Sequence, residues 1–174
     1  LNVVLNAQPD SDVVLSITSS DTGEAIANSP LTFTSANWDT AQVVTVTGVD
    51  DDLIDGTISS NLLIAIVDAS SDNNFDAVAD QTVSVSTTDD DVAGFTVSET
   101  EGSTTVTEAG DTDTFTVVLN AQPSSNVVIS ISSSDTGEAT VTSLITFTST
   151  NWDAPQNVTA VSYTHLRAHE TELD

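Results

Sequence analysis

VVLSITSSDTGEA, residues 13–25, is the stretch that decides the fold. Its first six positions alternate, with Val13, Leu15 and Ile17 on one face of an extended chain and Val14, Ser16 and Thr18 on the other, the period of a half-buried strand. SSDTGEA then supplies turn chemistry, small polar residues and a glycine. The same seven residues return at 133–139, and the chain around them repeats in constant register. LNAQP at 5–9 returns at 119–123, TFTS at 32–35 at 146–149, and NWD around Trp38 around Trp152, always 114 residues further on. About two-thirds of positions 1–47 are identical to positions 115–161. A period of that length is domain-sized, well above the roughly 20 to 50 residues of solenoid and propeller repeats, so the chain reads as a tandem array of domains.

The remaining strand candidates are 31–35, 42–47, 60–68, 82–87, 93–98 and 113–119, the last with Phe115, Val117 and Leu119 facing inward. Asp, Asn, Ser, Gly and Pro clusters separate them, and nothing before residue 162 reads as a helix. Six or seven strands per repeat predict an all-β fold, tandem immunoglobulin-like β-sandwiches, with a barrel as the less favoured arrangement. The constant offset aligns residue 1 with residue 115, so the first unit, 1–91, is expected to be N-terminally truncated and the second, 92–161, C-terminally truncated.

Charge excludes some functions. Against 27 acidic residues stands a single basic one, a formal net charge of −26, so nucleic acid and anionic membrane surfaces are excluded as partners: both need Lys or Arg to neutralise phosphate. Hydrophobic residues still make up 38% of the chain, which is core-forming composition and not that of an acidic disordered tail. With no cysteine, disulfides, thiolate metal sites and thiol catalysis are unavailable. The longest apolar run, LLIAIV at 62–67, is too short to span a bilayer.

Two acidic clusters draw attention. Asp50, Asp51, Asp52 and Asp55 share one loop, and Asp89, Asp90 and Asp91 follow the last strand of the first unit. If both loops reach the same end of the fold, their carboxylates converge, and each pair about 4 Å apart repels by roughly 1 kcal/mol in water. A hard cation reverses that repulsion. Ca2+ accepts about six to eight oxygens in flexible geometry, which suits adjacent aspartates better than the octahedron of Mg2+, and zinc would ask for His or Cys. The alternative is that these are solvated turns in an acidic protein.

GFTVSETEGSTTVTEAGDTDTFTVVLNAQP at 94–123, VTVTGVDDDLIDG at 44–56 and the closing TTDDD at 87–91 together resemble the Calx-beta repeats of large bacterial surface proteins and of sodium/calcium exchangers. The resemblance extends to about residue 161 and implies an extracellular β-sandwich that binds Ca2+ in loops at one end. It implies Asp50, Asp51 and Asp55 as side-chain ligands, the carbonyl of Leu53 as a backbone ligand, Asp89, Asp90 and Asp91 as a closing triplet, and Glu108 as a further carboxylate. Ile58 stands where the family carries another acid. The first unit thus holds the aspartates without the glutamate, and the second holds Glu108 without the aspartates.

Other motifs carry less. An EF-hand beginning at Asp51 would need Leu53 and Leu62 as ligands, and DNNFD at 72–76 lacks the turn glycine of a calcium loop, so it reads as an ordinary surface loop. Trp38 and Trp152 read as core-edge packing, and the sequon at Asn157 falls in an expected strand. Both histidines, the only arginine and the only tyrosine fall within 163–169. His165 and His169 lack the H-E-x-x-H order of a zinc protease. SYTHLRAHET at 162–171 resembles translated sequencing-adapter read-through, which makes 162–174 an expected non-native tail.

No nucleophile stands with a base and no glycine-rich phosphate loop is present, so no enzyme is expected. The expected function is a Ca2+-stiffened spacer in a large secreted or cell-surface bacterial protein of the adhesin kind, its partners being neighbouring repeats of the same chain. The alternative is an extracellular binding module whose loops recognise a glycan or a protein.

Overall fold

Short alternating segments rich in Val, Ile and Thr have nowhere to satisfy their backbone groups except a neighbouring strand, and the resulting fold is all-β. The computed structural model describes residues 1–163. The chain divides into two compact units, one of Leu1–Asp51 with Asp55–Asp90, the other of Asp52–Ile54 with the chain from Asp91 onward.

The first unit contains β1 (Asn2–Val3), β2 (Val13–Ser19), β3 (Ala25–Ala27), β4 (Leu31–Phe33), β5 (Gln42–Val43), β6 (Val46–Gly48), β7 (Ile58–Ile66) and β8 (Gln81–Thr87). They form a four-stranded antiparallel sheet in the order β4-β2-β7-β8 and two ribbons, β1-β5 and β3-β6. The second unit contains β9 (Phe95–Glu99), β10 (Thr112–Leu119), β11 (Val127–Ser130), β12 (Ala139–Val141), β13 (Leu144–Phe147) and β14 (Gln156–Ser162), as a four-stranded sheet β12-β14-β10-β9 and a ribbon β11-β13.

Shared segments pair alike in the two units. Val13 faces Phe33 and Leu15 faces Leu31, as Val127 faces Phe147 and Ile129 faces Ile145. Val3 faces Gln42 as Val117 faces Gln156, and Ala25 faces Gly48 as Ala139 faces Ser162. Each unit has its own core. In the first, Val13, Leu15 and Ile17 of β2 pack with Leu31 and Phe33 of β4, Leu62 and Ile64 of β7, and Val44 between β5 and β6. In the second, Val117, Leu119, Ile145, Phe147 and Val158 form the centre, with Phe115 and Trp152 packed against it. The inward faces expected for β2 and β10, and the core-edge place expected for Trp152, are found.

Two details differ from expectation. The expected strand at 42–47 is split, because the Asn28 side chain accepts from the Thr45 N–H at 2.6 Å and donates to the Val43 carbonyl at 3.4 Å, taking over ladder bonds between β5 and β6. In the second unit Thr142 stands in that place and accepts only the Thr159 N–H, at 3.2 Å, and β14 runs on unbroken through Ser162. Single 3-10 turns occur at Asp68–Ser70, Asn73–Phe75 and Thr100–Gly102, where no helical turn was expected. Among the described residues no helix is long and apolar enough to cross a membrane. His165, Arg167 and His169 lie outside the described residues.

Candidate metal centre

SSDTGEA folds as its residue types dictate. The Asp21 side chain accepts the Gly23 N–H at 3.0 Å, the Ser19 hydroxyl accepts the Asp21 N–H at 3.2 Å, and the Ala25 N–H closes the turn on the Asp21 carbonyl at 3.1 Å. Asp135, Ser133 and Gly137 repeat the pattern in the second unit. The turn delivers Glu24, whose backbone carbonyl accepts the Val49 N–H at 2.8 Å and the Thr87 hydroxyl at 3.1 Å. One residue is thereby tied both to the start of the acidic loop and to the end of β8.

The two Asp clusters of the first unit do meet, but by division of labour. Asp89 turns its carboxylate to the loop backbone, accepting the N–H groups of Asp55 at 3.0 Å and Gly56 at 2.8 Å. Gly56 has φ of +78°, a conformation that glycine adopts without strain. With the loop held in this way, carboxylate oxygens of Glu24, Asp51 and Asp55 lie within 4.8 Å of one another. One Ca2+ with bonds of about 2.3 to 2.6 Å can reach three oxygens so placed.

Asp51 and Asp55 are thus brought together as expected, and Glu24 joins them. Asp50 and Asp90 are exposed and stand outside that triad, and Asp89 serves it from behind. Leu53 falls in the short segment that groups with the second unit, as does the half-buried Asp91. Glu108 is exposed on a turn closed by the Gly110 N–H to the Thr107 carbonyl at 3.2 Å. Sequence reasoning passed over Glu24 because it sits in neither Asp run; the signal was its place in a heptapeptide, SSDTGEA, that the chain repeats without change.

The electrostatics match the geometry. Partial burial, and then the carboxylates of Asp55, Asp21, Asp51 and Asp89, hold the Glu24 carboxyl above its ordinary pKa. The folded chain therefore binds that proton more tightly than the unfolded chain does. Stability is lost as pH rises from the ordinary Glu value through the raised one. A cation seated among the three carboxylates would remove that penalty.

Two further aspartates are structural. Asp72 contradicts the surface-loop expectation: it is only 5% exposed, and its carboxylate accepts the N–H groups of Asp10 at 2.6 Å, Asn74 at 2.9 Å and Ser11 at 3.3 Å. The N–H groups of Asn74 and Asp10 hold its pKa below the ordinary value, against the opposing effect of burial. Asp113 does similar work in the second unit, accepting the N–H groups of Thr105 and Thr114, both at 2.7 Å, and the Thr100 hydroxyl at 2.9 Å. Those bonds depress its pKa, Thr105 foremost.

Compared with known proteins, the chain matches no family model, no curated protein and no solved structure.

Proposed function

We propose that the chain is a pair of Calx-beta-like, immunoglobulin-type β-sandwich units from a large secreted or cell-surface bacterial protein, in which Ca2+ stiffens a spacer of repeated domains. The observation that carries the reading is the convergence of Glu24, Asp51 and Asp55 on one point, with Asp89 bracing the loop that bears two of them. Repetition supports the spacer half: strands, turns and registers recur with the same residues, as an array providing reach requires. Binding would link the turn before β3 to the loop before β7 and so remove a loop fluctuation that carboxylate repulsion otherwise favours.

Thermal unfolding of the whole chain carrying Trp152→Phe, followed by Trp38 fluorescence at constant ionic strength in EDTA and across a Ca2+ titration, tests this directly. Ca2+ should raise the midpoint, by a linkage of about 2.7 kcal/mol at a hundredfold excess over the dissociation constant, while Mg2+ at the same concentration does far less. Superimposed curves would reduce the acidic loops to solvated turns and remove the basis of the reading.

Glu24→Gln separates ligand from bystander through two effects of opposite sign. In EDTA at neutral pH the variant should unfold at a higher temperature than the parent, because a repelled charge is gone, and the difference should vanish once the pH falls below the ordinary Glu value of about 4.3. In Ca2+ the same variant should bind roughly tenfold more weakly, one charged ligand having been neutralised. A variant that loses stability in EDTA, or keeps full Ca2+ affinity, would place Glu24 outside the centre.

A further inference from the structure

The acidic residues of the first unit all lie in its turns and loops, and none falls within β1 to β8. Charge on an edge strand is a usual guard against another chain adding itself to a sheet. The edges of the two four-stranded sheets are guarded unequally. β4 is three residues long and follows Pro30, β12 is three residues long and follows Glu138, and β9 carries Glu99. β8 is seven residues long and holds neither charge, proline nor glycine. It pairs with β7 from Gln81 opposite Ile64 to Thr87 opposite Ile58, and among the described residues no strand lies along its other side.

Within β8, residues 82–86 read TVSVS, a pattern that is the same from either end in its chemistry: hydroxyls at the outer and central positions, valines between them. Val83 and Val85 are half-buried and pack against the core of the first unit, while Thr82, Ser84 and Ser86 are exposed. Such a strand is complementary to itself reversed. We propose that β8 is a self-association edge, which pairs antiparallel with β8 of a second copy about a two-fold axis at Ser84. That register sets Ser84 opposite its own counterpart, Val83 opposite Val85, Thr82 opposite Ser86 and Gln81 opposite Thr87. Opposite residues share a face of the sheet, so valines meet on the core side and hydroxyls on the outer side, where Thr and Ser can bond to each other. A slip of one residue would set valine against hydroxyl and turn the core of the second copy to the wrong side.

Charge selects both the occupant and the register. Two chains of net charge −26 repel wherever loop meets loop, and the line of β8 is an approach with no carboxylate in it. Beyond the strand ends the same register sets Asp80 against Thr88 and Asp89 against Ala79, so no carboxylate opposes another. Slid by two residues to centre on Val85, the pair would set Asp80 against Asp90. The two-fold closes on itself, joining two four-stranded sheets into one and going no further. Main-chain bonds along one short seam give a transient contact, and many repeats in one array would add theirs by avidity.

Sedimentation equilibrium of the whole chain, in salt sufficient to screen its charge, should show the mass rising from one chain to two with half-association on the order of 100 µM. Ser84→Asp, which brings two carboxylates together at the axis, should weaken association at least about tenfold and leave the melting midpoint of the dilute chain within about 2 °C of the parent. The chain has no cysteine of its own, so introduced ones report the register. On oxidation Ser84→Cys should form a disulfide-linked dimer, Thr82→Cys alone should not, and chains carrying Thr82→Cys and Ser86→Cys should link to each other when mixed. A chain that stays monomeric to about 1 mM, association that Ser84→Asp leaves intact, or Thr82→Cys linking to itself as fast as Ser84→Cys would overturn the proposal.

Discussion

Phe33→Ala lowers the stability of the first unit by about 3–5 kcal/mol, the usual cost of emptying an aromatic site in a packed core. Phe33 is wholly buried, lies opposite Val13 in the β2–β4 pair, and belongs to a cluster with Leu15, Ile17, Leu62 and Val44. Leu15, Ile17 and Leu62 belong to strands held in ladders and the Val44 N–H is tied to the Leu1 carbonyl at 2.8 Å, so they cannot collapse far into the space, and both the transfer and the cavity contributions are felt. Domains of this size are stable by only about 5–15 kcal/mol, so one substitution removes a large share of the total. Urea unfolding followed by Trp38 fluorescence in a Trp152→Phe background reads the loss as a lower midpoint with an unchanged slope. Phe147→Ala is the matching experiment in the second unit, where Phe147 is equally buried opposite Val127. Val43→Ala, at a site 63% exposed, should stay within about 0.5 kcal/mol of the parent. A Phe33→Ala protein that unfolds at the parental midpoint would show that the first unit is not held by this core.

Asp72→Ala should lower the melting midpoint of the first unit by roughly 8–15 °C, because it leaves the N–H groups of Asp10, Ser11 and Asn74 without their acceptor where little water reaches. Those bonds clasp the loop before β2 to the turn after β7, a join reinforced by the Asp72 N–H to the Asp12 carbonyl at 2.9 Å. The pH dependence carries the signature. Since the folded pKa lies below the ordinary value, the contribution of the carboxylate is fully present above about pH 4 and is lost as the pH falls through the depressed value. The gap between parent and variant should therefore be constant at neutral pH and close only in stronger acid. Asp72→Asn keeps one acceptor oxygen and should fall between the two. A gap that widens as pH falls would refute the assignment.

Much of the fold was legible in the sequence because strand alternation and repetition are both local, readable signals. Val13, Leu15 and Ile17 announce their buried face by period alone, and identical turns at 19–25 and 133–139 announce identical geometry. Less legible was what depends on one side chain reaching a distant backbone. Asn28 splitting a strand, and Asp72 turning an apparent surface loop into a buried clasp, leave no periodic trace, for each acts through groups some 17 to 62 residues away. The candidate centre was half legible. Runs of aspartate drew attention to Asp51 and Asp55, yet the third carboxylate comes from Glu24, a residue that sequence places in a turn and the fold places over the acidic loop. Counting acids in a run also missed a second role: the Oδ2 of Asp89 accepts both the Asp55 and the Gly56 N–H groups and so braces the loop.

The common register of the two units has a cost during folding. β2 finds in β13 nearly the same partner that it has in β4, since Leu31 is matched by Ile145 and Phe33 by Phe147, so side chains alone do little to tell right pairing from wrong. Chain connectivity must make the choice. Leu15 and Leu31 are 16 residues apart, Leu15 and Ile145 are 130 apart, and closing the longer loop is dearer by about 2 kcal/mol of entropy. That margin favours the native hairpin by some thirtyfold while a chain is alone. It shrinks as neighbouring copies crowd in, so an array of such repeats is best folded one unit at a time, in the order in which it is synthesised.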